Sequence, residues 1–199
     1  MLQEMEKVRK FFAHQLNVHG KNSPSAVHWN SKETQLIRFY VLAMIDVLSE
    51  HSVLDLGCGV GDMYKFFKDE DINVHYTGWD ITPEMIQAAT KKYPEAEFDV
   101  KNILMEKTLP FYDYVLASGT MNIKISGHEE WLFAMVRKMF EIANMGVGFN
   151  LLNKQGNADN RTFFATEPEK IEALCKKITS NVVLRQDYLP NDFTIYMYK

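Results

Sequence analysis

A glycine-rich turn that follows a short apolar run constrains this chain more than any other feature. Residues 53–62 read Val-Leu-Asp-Leu-Gly-Cys-Gly-Val-Gly-Asp, with glycine at alternate positions. Because glycine has no Cβ, such a turn bends sharply and lets a ligand approach the backbone closely. Asp80 closes the next apolar run, and an acid at a strand tip is well placed to hold a pair of ribose hydroxyls. Together these features predict a nucleoside-bearing cofactor across the ends of parallel strands.

Glycine-rich turns serve several cofactors, and the residues around this one separate them. A P-loop requires Gly-Lys-Ser or Gly-Lys-Thr, which the chain lacks. A dinucleotide site has a small residue three positions after its second glycine. That position is Asp62 here, and its carboxylate would repel a pyrophosphate. S-adenosylmethionine carries no phosphate, and its sulfonium and amino-acid tail suit a site that contains Asp55 and Asp80.

Apolar periodicity predicts helices over residues 2–16 and 31–48, followed by an alternation of strands and helices. The predicted strands cover residues 52–56, 73–79, 97–100, 112–118, 147–152, 181–186 and 193–198, and the predicted helices between them cover 60–68, 83–93, 129–144 and 167–178. Ser31 and Thr82 are the predicted N-caps of two of these helices. The alternation predicts an α/β fold with a mostly parallel sheet covered on both faces, closed by an antiparallel hairpin.

Length and charge limit the class of protein further. A chain of 199 residues predicts one domain, with residues 1–50 as a helical cap or lid and residues 51–199 as the cofactor-binding core. The net charge of −4 provides no overall basic field, so neither nucleic acid nor a membrane is an expected partner. Without an apolar signal core or a long apolar run, a cytoplasmic location is expected. Neither the two cysteines nor the histidine spacing predicts a metal site, and the sequence does not predict an oligomeric state.

Four segments resemble, in order, the motifs of the class I S-adenosylmethionine-dependent methyltransferases. Residues 55–61 resemble the first motif, Asp-x-Gly-x-Gly-x-Gly, and Tyr76–Asp80 resembles the second, whose acid binds the ribose. Residues 98–100 and 113–118 are similar to the third and fourth motifs. The resemblance covers most of the chain beyond residue 50. It implies a Rossmann-like three-layer sandwich with a seven-stranded sheet of order 3-2-1-4-5-7-6, strand 7 being antiparallel.

The resemblance also implies which residues bind the cofactor. Gly57 and Gly59 would line its methionine side, Asp80 would hold the ribose, and Asp55 would contact the amino group directly or through water. A plain strand-to-helix turn is the alternative for the glycines. The other predicted contacts are Ile81 on the adenine face, Asp99 at the adenine amino group with a surface carboxylate as its alternative, and Cys58, Val100 and Ser118.

A segment upstream of these motifs resembles the region of some small-molecule methyltransferases in which a helix closes over the cofactor. Arg38 lies in this segment and would pair bidentately with the methionine carboxylate, or else be a solvated charge on the helix surface. Trp29 would stack on the substrate, or else hold the loop in place. Both are therefore predicted cofactor-site residues.

The sequence indicates the identity of the methyl acceptor less clearly than that of the methyl donor. Displacement from an activated sulfonium needs a general base only where the acceptor must lose a proton. His128 is the candidate base, with an ordinary exposed histidine at a helix start as the alternative. Other polar residues on loops after the strands are Thr120, Asn122, Lys124, Asn153 and Lys154.

Motifs typical of methylation at exocyclic amines, at cytosine C5 and in metal-dependent catechol enzymes are absent from the sequence. We therefore predict transfer to oxygen or nitrogen of a small-molecule acceptor, with residues 1–50 and the polar loop 153–166 as lids. An RNA or protein methyltransferase and a catalytically silent cofactor-binding module are the alternatives.

Overall fold

The computed structural model describes residues 2–20, 31–156 and 162–199, and in these residues eight strands form one sheet. The strands are β1 (Ser52–Leu56), β2 (His75–Asp80), β3 (Glu97–Val100), β4 (Tyr112–Ala117), β5 (Ala143–Asn153), β6 (Ala165–Thr166), β7 (Val182–Arg185) and β8 (Asp192–Tyr198). The helices are α1 (Leu2–His19), α2 (Lys32–Ala43), α3 (Asp62–Asp69), α4 (Pro83–Lys92), α5 (His128–Ile142) and α6 (Pro168–Cys175).

The sheet has the order β3-β2-β1-β4-β5-β8-β7, and β6 pairs with the end of β5. Strands β1 to β5 are parallel to their neighbours, whereas β8 runs antiparallel to both β5 and β7. The predicted order and the antiparallel seventh strand are confirmed. The short β6 only shifts the numbering, so the predicted strands 6 and 7 are β7 and β8.

Side chains along the central strands alternate between two buried clusters, one on each face of the sheet. In β4, Tyr114 and Leu116 belong to the cluster formed with α2 and α3, and Val115 and Ala117 belong to the cluster formed with α5 and α6. This alternation follows from the two-residue repeat of a strand. Because both faces are covered by helices, the middle of the sheet is apolar on both sides.

Helix α2 belongs to this layered core. Ser31 caps it as predicted, since Oγ of Ser31 accepts the backbone N–H of Thr34 at 3.1 Å. The helix ends at Ala43 instead of residue 48, because the chain tightens where the Met44 N–H lies within hydrogen-bond distance of two carbonyls. Leu42 is fully buried. Among the described residues that precede β1, α2 is therefore a buried layer of the fold, and the role of residues 1–50 as a cap or lid stays a prediction.

The junction between α5 and β5 differs from its prediction. A helix to residue 144 was expected because Gly146 resembles a helix terminator, but α5 ends at Ile142 and β5 begins at once. Residues Ala143 and Gly146 pair with Tyr112 and Tyr114 of β4, with a register shift between them. Pairing with the neighbouring strand therefore overrides the local helix preference.

The polar stretch predicted as a loop over residues 153–166 contains a 3-10 turn at Lys154–Gly156 and strand β6. Residues 157–161 of this stretch lie outside the described residues. Across the parts of the chain that the structure describes, no helix is long and apolar enough to cross a membrane.

Candidate active site

A cavity of about 300 Å³ lies at the carboxyl ends of the parallel strands. Its floor comes from residues that follow β1, β2, β3 and β4, namely residues 56–59, 80–81, 101–103 and 118–120. Open α/β sheets bind their ligands at this edge, where loops from neighbouring strands converge. Helices α1 and α2 provide further walls. The cavity is thus bordered by most of the motifs that the sequence singles out.

The glycine turn is fastened to the tip of β2. The backbone N–H groups of Gly57 and Cys58 both donate to the carbonyl of Trp79, at 2.7 and 3.0 Å. Gly57 has a φ of +77°, and a Cβ at this position would lie 2.3 Å from Oγ1 of Thr120. Only glycine satisfies both the backbone angle and the close approach. The turn therefore places bare backbone, including Gly59, at the cavity wall.

Asp80 occupies the tip of β2 and receives two backbone donors. Its Oδ2 accepts the N–H of Gly59 at 3.0 Å, and its Oδ1 accepts the N–H of Thr82 at 2.8 Å. Burial nevertheless raises the pKa of this carboxyl. Each carboxylate oxygen keeps the capacity to accept one more hydrogen bond. These two acceptor oxygens thus fit a pair of donating hydroxyl groups in the cavity, as a ribose would present.

Asp55 lies almost completely buried in β1 and lines the cavity. The hydroxyl of Tyr76 donates to its Oδ2 at 2.7 Å. Burial raises the pKa of Asp55 to about 7, although the bond from Tyr76 acts in the opposite direction. A cation in the cavity would favour the ionised form of this carboxyl. Asp55 therefore fits a site for a positively charged amino group.

Asp62 connects three helices at the edge of the cavity. Its Oδ2 accepts from Nε2 of Gln35 at 3.2 Å, and its Oδ1 accepts from Nζ of Lys92 at 3.0 Å. These partners belong to α2 and α4, whereas Asp62 begins α3. Asp62, whose carboxylate would repel a pyrophosphate, thus also links the helices that form the walls of the cavity. Gln35 was not among the predicted site residues.

Arg38 lines the cavity and is buried, with 4% of its surface exposed. Its Nε forms an ion pair with Oδ2 of Asp192 at 2.6 Å, and its Nη1 donates to the Thr34 carbonyl at 3.1 Å. Asp192 also accepts the hydroxyl of Tyr188 at 2.5 Å. The alternative of a solvated helix charge is therefore wrong. Pairing of Arg38 with a ligand carboxylate stays a prediction.

The residues predicted at the adenine end divide into two groups. Ile81 lines the cavity, as do Cys58 and Ser118 elsewhere in its wall. Asp99 and Val100 do not line it. The carboxylate of Asp99 is partly exposed and pairs with Nζ of Lys101 at 3.0 Å.

Three residues that follow the end of β3 provide this part of the wall instead, namely Lys101, Asn102 and Ile103. They were not predicted from the sequence, because the motif resemblance points to the strand end itself, whereas the loop after the strand forms the wall. The contact of Asp99 with the adenine and the cofactor contact of Val100 stay predictions, and neither residue lines the cavity.

His128 is buried at the start of α5 and is not part of the cavity wall. Its ring stacks on Phe164 with the centroids 3.9 Å apart and meets the Trp131 ring edge-on at 5.3 Å. Burial lowers the pKa of His128 to about 4. A general base has to come within hydrogen-bond distance of the proton that it removes. The structure does not place His128 there, and it is not an exposed histidine either.

Helix α1 covers the cavity and is tied on two sides. Arg9 lies 3.9 Å from Glu84 of α4, and the backbone N–H of Ser126 donates to Glu4 at 3.3 Å. The face of α1 that lines the cavity carries Met5, Val8 and Phe12, which share one side of a helix. Trp29, the other residue predicted in the N-terminal cover, lies outside the described residues.

Comparison with known proteins gives consistent matches. A family model described as "Methyltransferase domain" matches residues 53–144. The Mycobacterium tuberculosis protein Rv1506c, which is named as a methyltransferase, is 26% identical over 165 residues, which cover 79% of this chain and 99% of that protein.

Two solved structures resemble the whole chain. One is magnesium protoporphyrin IX methyltransferase from Synechocystis PCC 6803 with bound S-adenosylmethionine, with a TM-score of 0.73, 14% identity, and coverage of 98% of this chain and 97% of that one. The other is the Burkholderia thailandensis 1,6-didemethyltoxoflavin-N1-methyltransferase with its acceptor and S-adenosylhomocysteine, with a TM-score of 0.70, 12% identity, and coverage of 98% and 90%. At these identities the likeness concerns the fold.

Proposed function

We propose that the chain is a class I S-adenosylmethionine-dependent methyltransferase and that it transfers the cofactor's methyl group to oxygen or nitrogen of a small-molecule acceptor. The observation that carries this proposal is the cavity. It joins the glycine turn and Asp80 to a region enclosed beneath α1. A cofactor and a small acceptor would therefore share one space that is shielded from water.

The residues that line the cavity fit S-adenosylmethionine, the cofactor that this family uses. We propose that Asp80 accepts the ribose hydroxyls and that Ile81 packs against the adenine. Asp55 would face the amino group, and the bare backbone at Gly57 and Gly59 would leave room for the methionine part. The fit rests on the capacity of Asp80 to accept hydrogen bonds, on the bare backbone at Gly57, where a Cβ would collide with Thr120, and on the buried acid Asp55.

The protein's main contribution to the chemistry is to hold two molecules in line. When bound, the cofactor supplies a methyl group already activated by the positive sulfonium. Correct orientation of two reactants can provide about 7–11 kcal/mol in well-aligned systems. Fixed groups of this chain, such as the strand-anchored turn and Asp80, provide that orientation. The side chains of α1 that line the cavity would limit the access of water to the reacting atoms.

Three observations support a small acceptor over a polymer. The cavity has a volume of about 300 Å³ and lies partly beneath α1, which suits a small molecule better than a polymer. The net charge of −4 does not favour RNA. Finally, the two proteins of similar fold are named for small acceptors, a magnesium porphyrin and a toxoflavin precursor.

Transfer of labelled methyl groups tests this proposal. The protein is incubated with methyl-labelled S-adenosylmethionine and a cell extract that is then separated into metabolites, RNA and protein. We expect label in the metabolite fraction. Label in RNA or protein would support the polymer alternatives, and tight cofactor binding without any transfer would support the silent module.

A further inference from the structure

Asn150 is a completely buried amide in β5, one of the central strands of the sheet. A buried amide requires hydrogen-bond partners, so the groups that it contacts are informative. Its Oδ1 accepts the backbone N–H of Gly119 at 2.8 Å, and its Nδ2 donates to Oγ of Ser118 at 3.3 Å. Both of these residues line the cavity. The amide of Asn150 therefore holds a part of the cavity wall in place.

The turn after β4 is also held by the end of β1. Oγ1 of Thr120 donates to the carbonyl of Leu56 at 2.7 Å, and a Cβ at Gly57 would lie 2.3 Å from the same oxygen. Residues 118–120 all line the cavity. The turn that Asn150 holds therefore lies directly against the glycine backbone that would receive the methionine part of the cofactor.

The hydrogen bonds of Asn150 determine how the Ser118 hydroxyl group acts. A backbone N–H can only donate, so the amide oxygen of Asn150 must face Gly119 and its nitrogen must face Ser118. Because that nitrogen also only donates, Oγ of Ser118 accepts, and its own proton is not used in this bond. No group in the described parts of the chain accepts that proton. Ser118 is half-buried and borders the cavity, so its proton is left for a ligand.

Resting on the proposed function, we infer that Ser118 donates to the carboxylate of the cofactor's methionine part and that Asn150 is the positioning residue for this contact. The unused proton of Ser118 needs an acceptor. Of the two charged groups of an amino acid, the ammonium can only donate, whereas the carboxylate can accept. The assignment complements that of the buried acid Asp55, which lines the same cavity and fits the amino group.

Two ligands that differ only in the carboxylate test this inference without relying on catalysis. They are S-adenosylhomocysteine and its decarboxylated analogue, which carries an aminopropyl chain in place of the amino acid part. The ratio of their affinities, measured by calorimetric titration, gives the preference for the carboxylate. We expect Ser118→Ala to lower this preference about tenfold, the scale of one hydrogen bond to a charged group, and to change the affinity for the analogue by less than about twofold. Ser126→Ala is the matched control, because Ser126 is exposed and does not line the cavity.

A double-variant cycle separates positioning by Asn150 from a direct effect of charge. In Asn150→Asp both side-chain oxygens accept, so Gly119 keeps its partner while the Ser118 proton turns towards the new carboxylate. The preference for S-adenosylhomocysteine should then fall about as far as in Ser118→Ala. Added to Ser118→Ala, the same substitution should lower the preference little further. Direct repulsion between the new charge and the cofactor would instead lower it equally in both backgrounds.

Asn150→Leu is the uncharged second variant, because burial of an additional carboxylate can prevent folding. It removes the N–H donor to Ser118, so the hydroxyl group is no longer held. The preference should again fall only where Ser118 is present. Thermal melting and the affinity for the decarboxylated analogue confirm that each variant is folded.

Wild-type preference in Ser118→Ala would overturn the contact with the carboxylate. Equal effects of the Asn150 substitutions with and without Ser118, or no effect in either background, would overturn the positioning role. These outcomes are distinct from a failure of the proposed function. Transfer of labelled methyl groups with an unchanged preference in Ser118→Ala would reject the contact alone. A lowered preference without transfer to any fraction would reject methylation and leave a cofactor-binding site, and absence of S-adenosylhomocysteine binding would reject both.

Discussion

The backbone N–H of Gly59 donates to Oδ2 of Asp80 at 3.0 Å, so the turn after β1 and the tip of β2 form one unit. The same carboxylate orders the start of the following segment through the N–H of Thr82. A change at Asp80 therefore affects the shape of the glycine turn as well as any ligand hydroxyl. We therefore expect a substitution of Asp80 to affect cofactor affinity more than any other property.

Asp80→Ala is expected to weaken S-adenosylmethionine binding by about 1.5–3 kcal/mol, the scale of hydrogen bonds to a charged group. Isothermal titration calorimetry measures the loss. Asp69→Ala is the matched control, because its carboxylate is exposed and pairs with Lys65 on the surface of α3. Equal affinities of wild type and Asp80→Ala would show that Asp80 does not contact the cofactor.

Gly57→Ala should destabilise the fold far more than Gly20→Ala. Both glycines have positive φ angles, +77° and +74°, but a Cβ at Gly57 meets Thr120 whereas a Cβ at Gly20 meets nothing within 4 Å. The shared backbone strain costs about 1–2 kcal/mol, and the collision adds about 1–3 kcal/mol at Gly57 alone. Urea unfolding gives both values. Adding Thr120→Gly should recover most of the extra cost, and similar losses in the two single variants would contradict the collision.

Asp55→Asn should change how stability depends on pH. Burial raises the pKa of Asp55 from 3.8 to about 7, so the folded protein favours the protonated form. The wild type should therefore lose stability as the pH rises from about 4 through 7, and the loss should be complete above that range. The variant lacks this titration. Each pKa unit corresponds to about 1.4 kcal/mol. Between pH 5 and pH 8, we therefore expect the free energy of unfolding of the variant, relative to that of the wild type, to increase by a few kcal/mol. Parallel stability curves would refute the raised pKa.

The same carboxyl should make cofactor affinity depend on pH. A positively charged amino group favours ionised Asp55, so affinity of the wild type for S-adenosylmethionine should rise as the pH increases through about 7. Asp55→Asn should bind more weakly at pH 8 and show a flatter profile. Calorimetric titrations at several pH values test this, and an identical slope in both proteins would place the amino group elsewhere.

Arg38→Met separates a structural role from a binding role. Removing the guanidinium leaves Asp192 buried without its ion-pair partner, which typically costs about 3–5 kcal/mol of stability. The double variant Arg38→Met/Asp192→Asn should recover much of that loss. If Arg38 also pairs with the methionine carboxylate, both variants should bind the cofactor about 1.5–3 kcal/mol more weakly. Full affinity in the stable double variant would confine Arg38 to its structural role.

The glycine turn was readable from the sequence because its geometry depends on residues close together in the chain. Gly57 and Gly61 adopt positive φ angles within the predicted turn, and Asp80 lies where the second motif places it. The sheet order was predictable because strands and helices alternate regularly and the motifs resemble a known family. These features are local or repeat along the chain, and sequence patterns report them well.

Contacts between distant segments were not readable in the same way. Arg38 and Asp192 are separated by 154 positions, and nothing in either segment points to the other. His128 was predicted as a candidate base, with an exposed histidine as the alternative, but the residue is buried against Phe164, which a separate segment brings against it. Oδ1 of Asn122 and Nε1 of Trp131 lack hydrogen-bond partners within the described residues, a property that exists only in three dimensions.

The weak attachment of helix α1 affects the expected rate of product release. The contacts of Arg9 with Glu84 and of Glu4 with Ser126 are partly or fully exposed to water. Exposed charged contacts contribute about 0–1 kcal/mol each. Breaking these two contacts when α1 moves to release a product therefore requires little free energy. Dissolved ions weaken such contacts further. The turnover rate would then increase with ionic strength whenever product departure, and not methyl transfer, is the slowest event of the cycle.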